Sequence, residues 1–202
     1  MIFDDFEKRW IPHPDSEVDL CAMPFQPIIV EAEKRGKSVF AFPLNESFIL
    51  SKSQLEQLNA VEEVLMVGYP IGLFDPVNNF PLIRRGITAT HPSVDYQGKS
   101  KGVIDAACFP GSSGSPVLIV NEGFYGGKSG TVVGTRAILL GVLHSGPFMT
   151  ADGEIIIKEI PTAAKPISQT QLQIHLGYIA KAREIQVLGE YMKEVLKNQV
   201  KY

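Results

Sequence analysis

The chain has 202 residues, 45% of them hydrophobic, and its 19 basic and 22 acidic side chains leave a net charge of 19 − 22 = −3. That is an ordinary globular composition, long enough to bury a real core, with no basic stripe to neutralise phosphates, so nucleic acid is not an expected partner. No run approaches the eighteen or so apolar residues a membrane-spanning helix needs, so none is expected, and a membrane is not an expected partner.

In chain order, the opening MIFDDFEKRW has acids and aromatics where a secretion signal has a basic start and an apolar middle. Two strand-like pieces follow one another, Ile2 to Trp10 and Val18 to Met23, and then two charged, helix-tolerant stretches around Ile28 to Lys37 and Gln54 to Glu63. Residues 27–59 read as a connector. Beyond it, short segments rich in Val, Ile and Leu are punctuated by Gly and Pro, as in an all-β barrel. Six strands are expected: Val61 to Gly68, Leu82 to Thr90, Gly102 to Ala107, Ser115 to Val120, Ala137 to His144 and Glu154 to Ile160. Six suffice to close one small barrel over residues 60–165. Turns are expected at Asp75-Pro76, Asn78-Asn79, Gly98, Gly123 to Gly130 and Ala151-Asp152-Gly153, the last as a hairpin turn. In the tail, residues 166–202, Tyr178, Ala182, Ile185, Leu188, Met192 and Val195 recur at steps of three and four, which predicts an amphipathic helix packed on the barrel.

Cys21 and Cys108 stand alone, and His13, His91, His144 and His175 are scattered without ligand spacing. Neither a disulfide scaffold nor a metal or other cofactor is expected. The chemistry concentrates instead in Asp105-Ala-Ala-Cys-Phe-Pro-Gly-Ser-Ser-Gly-Ser-Pro-Val117, where a strand enters a Gly- and Ser-rich turn and a new strand starts at once. Gly111 and Gly114 let the backbone fold tightly enough to present the Ser113 hydroxyl. The same turn can aim the N–H groups of Gly111 and Ser113 at one point, an oxyanion hole. An α/β-hydrolase elbow needs Gly-x-Ser-x-Gly before a helix, whereas Ser115 occupies the last position and a strand follows. The Gly-Lys-Ser pieces at 98–100 and 127–129 lack the earlier glycine of a phosphate loop and read as surface turns.

Pro110-Gly-Ser-Ser-Gly-Ser-Pro-Val117 resembles the active-serine motif of trypsin-like, chymotrypsin-fold serine peptidases, especially bacterial members with PGNSGSPV. Val18-Asp-Leu-Cys-Ala-Met23 resembles the segment holding the triad aspartate. Val67-Gly-Tyr-Pro-Ile-Gly72 resembles the segment opening the second barrel, and Leu140-Gly-Val-Leu-His-Ser-Gly146 the strand lining the substrate groove. The resemblance implies an all-β double barrel with a C-terminal helix, residues 1–26 being a remnant of the first barrel. It further implies Ser113 as nucleophile, Asp19 as the triad aspartate, an oxyanion hole from Gly111 and Ser113, and a substrate site around Ala107, His144, Ser145 and Gly146. The implied partner is a polypeptide substrate or peptide ligand.

The family's histidine segment lies some tens of residues before the aspartate, and here only eighteen residues precede Asp19. Serine is a poor nucleophile until an imidazole takes its proton. His13, between Pro12 and Pro14, reads as a surface residue at a hairpin rim, so the expectation is that an upstream piece carrying the base and most of barrel one is absent. Ser112 stands where digestive members have an aspartate, implying no activation by propeptide cleavage. Ala107 leaves no acidic pocket floor, implying a small or apolar pocket. His144 falls one residue off the position of the specificity histidine in relatives selective for acidic or glutamine residues, which in a strand reverses its face. The competing expectation is a pseudopeptidase that binds extended segments by strand addition without cutting them, and a weaker one is an esterase.

Overall fold

The computed structural model describes residues 6–128, 130–154 and 167–199, with the backbone alone over 148–154 and 167–173. Ahead of the barrel, a 3-10 turn at Phe6–Arg9 leads into a two-residue strand β1 (Ile11–Pro12), which pairs antiparallel with β2 (Cys21–Ala22). Helix α1 (Gln26–Lys34) follows, opening with Pro27 in its first turn, where the missing N–H costs nothing. The short helix α2 (Lys52–Leu55) carries a capping box: Ser51 Oγ accepts from the Gln54 amide while the Gln54 side chain accepts from the Ser51 amide.

Alternation then sets the barrel. In β3 (Glu63–Gly68), Val64 and Met66 are fully buried between partly exposed neighbours, the period-two pattern of a strand with one face on a core. It pairs antiparallel with β4 (Leu82–Thr88) from Glu63↔Ile87 to Gly68↔Leu82, and β4 passes the ladder to β5 (Lys101–Asp105). On the other side of β3 lies β6 (Pro116–Asn121). A small hairpin, β7 (Phe124–Gly127) with β8 (Gly130–Val133), leads to β9 (Arg136–Ser145), which pairs with β6 from Pro116↔Val142 to Asn121↔Arg136. After β10 (Phe148–Glu154) and β11 (Ile167–Gln173), which pair antiparallel, β12 (Leu176–Lys181) returns between β9 and β5. The closed order is β12-β5-β4-β3-β6-β9. Ile104, Val117, Ile119, Ile138, Leu140 and Ile179 fill its interior.

A closed six-stranded antiparallel barrel is therefore present, but its sixth strand is not Glu154 to Ile160. Glu154 ends β10, residues 155–160 lie outside the described residues, and Leu176–Lys181 closes the barrel. The barrel thus runs past residue 165 into what reads as the tail. Ala151-Asp152-Gly153 is not a turn but sits within β10, paired to Thr170, Gln169 and Ser168. The tail helix α3 (Ala182–Gln199) begins after Tyr178, which belongs to β12. A strand read as the start of a helix is a period error, because Tyr178 and Ala182 are four apart and suit both patterns. Within α3, Ala182 and Leu188 are buried and Ile185, Met192 and Val195 half-buried, and the helix packs on β9, β12 and β2. Of the two opening pieces expected as strands, Ile2 to Trp10 holds the 3-10 turn Phe6–Arg9 where it is described, with β1 falling just beyond it, and Val18 to Met23 holds only the two-residue strand Cys21–Ala22. No helix among the described residues is long and apolar enough to cross a membrane.

Candidate active site

Ser113 lies on the turn between β5 and β6, at the end of the barrel where β9 also finishes. Three backbone bonds brace the turn: Gly114 N–H donates to Leu143 O (2.7 Å), Leu143 N–H to Ser115 O (2.9 Å), and Ser112 N–H to Phe109 O (3.0 Å). Gly111 and Gly114 adopt φ of +80° and +86°, a region that favours glycine. The turn also leans on the segment after β3. Ile71 N–H donates to Pro110 O at 2.7 Å, and a Cβ on Gly111 would press on Tyr69 O and Ile71 N. Ile71 itself is held at φ +54°, a strained conformation for a β-branched residue. One position earlier, a Cβ on Gly68 would collide with Ser115 Oγ. The two motifs at 67–72 and 110–117 are thus one interlocked unit.

Within that unit Ser112 and Ser115 are buried while Ser113 is exposed. The N–H groups of Gly111 and Ser113 have no acceptor among the described residues, and the Ser113 hydroxyl donates to the His144 carbonyl at 2.9 Å. Unpaired donors flanking an exposed hydroxyl are the parts needed to receive a developing oxyanion.

Asp19 reaches the same end of the barrel from just before β2. Its side chain is 79% exposed, and Oδ2 lies 3.5 Å from His144 Nδ1, which is also 2.9 Å from Ser145 Oγ. His144 points outward, its ring 6.4 Å from that of Tyr178, while Leu143 points into the barrel. Burial pushes the His144 imidazole down from its ordinary range, Asp19 pulls it back up, and Lys101 lowers it. The structure therefore brings together Asp19, Ser113, His144 and Ser145, and Gly146 follows on the same strand exit.

None of the four histidines places an imidazole nitrogen in hydrogen-bond contact with Ser113 Oγ. His91 Nδ1 accepts from the Ser93 amide in a loop, and His175 stands edge-on to Phe109. His13 is not the surface residue its Pro-flanked setting suggests: its side chain is 2% exposed. The hairpin folds it inward, with Nδ1 accepting from the Asp15 amide and Nε2 3.4 Å from Glu184 Oε2 at the start of α3.

One residue near the turn has no counterpart in the motifs. Arg84, in β4, points inward with Gly86 and Thr88, donating through Nη1 to the Ala107 carbonyl and through Nη2 to Ser112 Oγ (2.7 Å). It thereby links the residue before the nucleophile with the residue six before it. No carboxylate lies within ion-pairing distance of it among the described residues, and burial lowers its pKa. Ala107 thus lies against a cation, whereas the residue type alone implied a purely small or apolar surrounding. The signal was available in LIRRGIT: Arg84 shares parity with buried Thr88, and Arg85 with exposed Ile83. Among the described residues no group of three or more His, Cys, Asp or Glu is placed to hold a metal. No protein-family model, curated protein or solved structure matches this chain.

Proposed function

We propose that the chain carries the nucleophile, oxyanion and aspartate portions of a trypsin-like serine endopeptidase site, the described barrel being the second of a chymotrypsin-like pair. The observation that supports this best is the exposed Ser113 hydroxyl on a glycine-braced turn, flanked by two unpaired N–H groups, with Asp19 drawn to the same end. In this reading Ser113 Oγ attacks the peptide carbonyl, the Gly111 and Ser113 amides take up the oxyanion, and the leaving amine is protonated by an imidazolium. Asp19 orients that imidazole, a role that none of His13, His91, His144 and His175 fills, since none has a ring nitrogen hydrogen-bonded to Ser113 Oγ. The test is a longer polypeptide bearing a histidine segment ahead of this sequence. A fluorophosphonate should phosphonylate its Ser113 with loss of fluoride and no longer do so after Ser113→Ala, and failure to label would refute the reading.

A second reading is favoured by one specific contact. The Ser113 hydroxyl is tied to the His144 carbonyl, and β9 outlasts the last β6 partner, Val142, by three residues. A protein that holds an extended peptide beside 144–146, past Leu143 whose backbone is bonded to the turn, without cutting it fits that arrangement. It predicts saturable peptide binding that Ser113→Ala leaves unchanged, with no phosphonylation in the longer polypeptide.

A further inference from the structure

A cavity of about 240 Å³ lies toward the barrel end away from Ser113, roofed by the 49–55 segment and the start of α3. Leu50, Leu55, Val103, Leu139, Leu140 and Ile179 give it an apolar wall. Among the described residues, its only charged lining residues are cationic, Lys52, Lys181 and Arg183, with no carboxylate.

The cations are unequally satisfied. Lys181 is buried, and its Nζ donates to Val94 O at 2.6 Å and lies 2.8 Å from Asp95 Oδ1, an oxygen that accepts no aligned hydrogen bond. Asp95 is shared, because Arg183 Nη2 holds its other oxygen at 2.8 Å. Lys52 has no carboxylate within ion-pairing distance among the described residues. Arg183 Nε also donates to Glu184 Oε1 at 3.1 Å, so the three cations stand against two carboxylates, Asp95 and Glu184, neither of which lines the cavity, and the Lys181 ammonium, with three donors, keeps capacity for a further acceptor.

We propose that this cavity is a binding site for a medium-chain carboxylate, its tail against the Leu and Val wall and its carboxylate on Lys181 with Arg183. Cavities near 150 Å³ accept a benzene-sized guest, so this volume suits a tail of roughly six to eight carbons. The proposal does not depend on the peptidase reading. Titrating the full chain with octanoate below its micellar concentration, followed calorimetrically and by amide shifts, should give one saturable site. Shifts should centre on Val103, Leu139 and Ile179. Octanol should bind roughly tenfold or more weakly, since it brings no charge to the cations. Lys181→Met should weaken octanoate about tenfold and leave octanol unchanged, and Arg183→Gln at the more exposed edge should act in the same direction, so the test stands even where the first variant does not fold. Absence of saturable binding, equal affinity for octanol and octanoate, or shifts elsewhere would overturn it.

Discussion

Replacing Arg84 by Met separates what this residue does for the fold from what it does for the turn. The side chain donates two charged hydrogen bonds, to the Ala107 carbonyl and Ser112 Oγ, each worth about 1.5–3 kcal/mol when the partner remains. Against this, its charge is partly desolvated beside Met66 and Cys108, its Nε is buried without a partner, and no carboxylate pairs with it among the described residues. Holding such a charge away from water costs several kcal/mol, about 3 for a partly buried site. The opposing terms largely cancel, so R84M should cost no more than about 3 kcal/mol of unfolding free energy in urea. The turn, by contrast, loses the link between 107 and 112. The amides of Ser112, Gly114 and Ser115, each bonded within the turn or to β9, should exchange with solvent clearly faster. A loss above about 4 kcal/mol would show that the charge is compensated and refute the reasoning, as would unchanged exchange in those amides.

Other outcomes follow from the same contacts. Glu62 and Arg136 form an ion pair at 2.6 Å with side chains 6% and 15% exposed, supported by Asn59 and Asn121, so R136M should cost about 3–5 kcal/mol in chemical denaturation, and adding Glu62→Gln should cost less than the sum. Gly68→Ala should destabilise by about 1–3 kcal/mol through the collision with Ser115 Oγ, and Ser115→Ala in the same chain should recover part of it. His144 should titrate below its ordinary range by NMR. As pH falls through that range the unfolded chain gains the proton first, so this group reduces stability on acidification; Asp19→Asn should lower its midpoint further and Lys101→Met should raise it.

What could be read from the residues alone follows from where physics is local. Val64 and Met66 alternate with solvent-facing neighbours, so β3 was visible in sequence, and the α3 face from Ala182 to Val195 has one helical period. The sixth strand was not visible, because strand closure is decided by a partner far along the chain. Leu176–Lys181 has no turn chemistry that separates it from the helix it feeds. Ser113, Asp19 and the glycines of the turn carry their own backbone demands and were legible as candidates, whereas Arg84 gains meaning only when β4 is laid beside the 107–112 loop. His13 shows the converse: its prolines suggest exposure, and packing against α3 decides otherwise.

The most direct measurement uses the chain as it is, with free imidazole standing in for the base that the proposed mechanism requires. A fluorophosphonate probe is added with and without imidazole near neutral pH, and the adduct is located by mass spectrometry. The account predicts slow modification that imidazole accelerates about tenfold or more, confined to Ser113 and abolished by Ser113→Ala. Labelling that imidazole does not accelerate, or that falls equally on other exposed serines, would contradict the claim that Ser113 is a nucleophile awaiting its base.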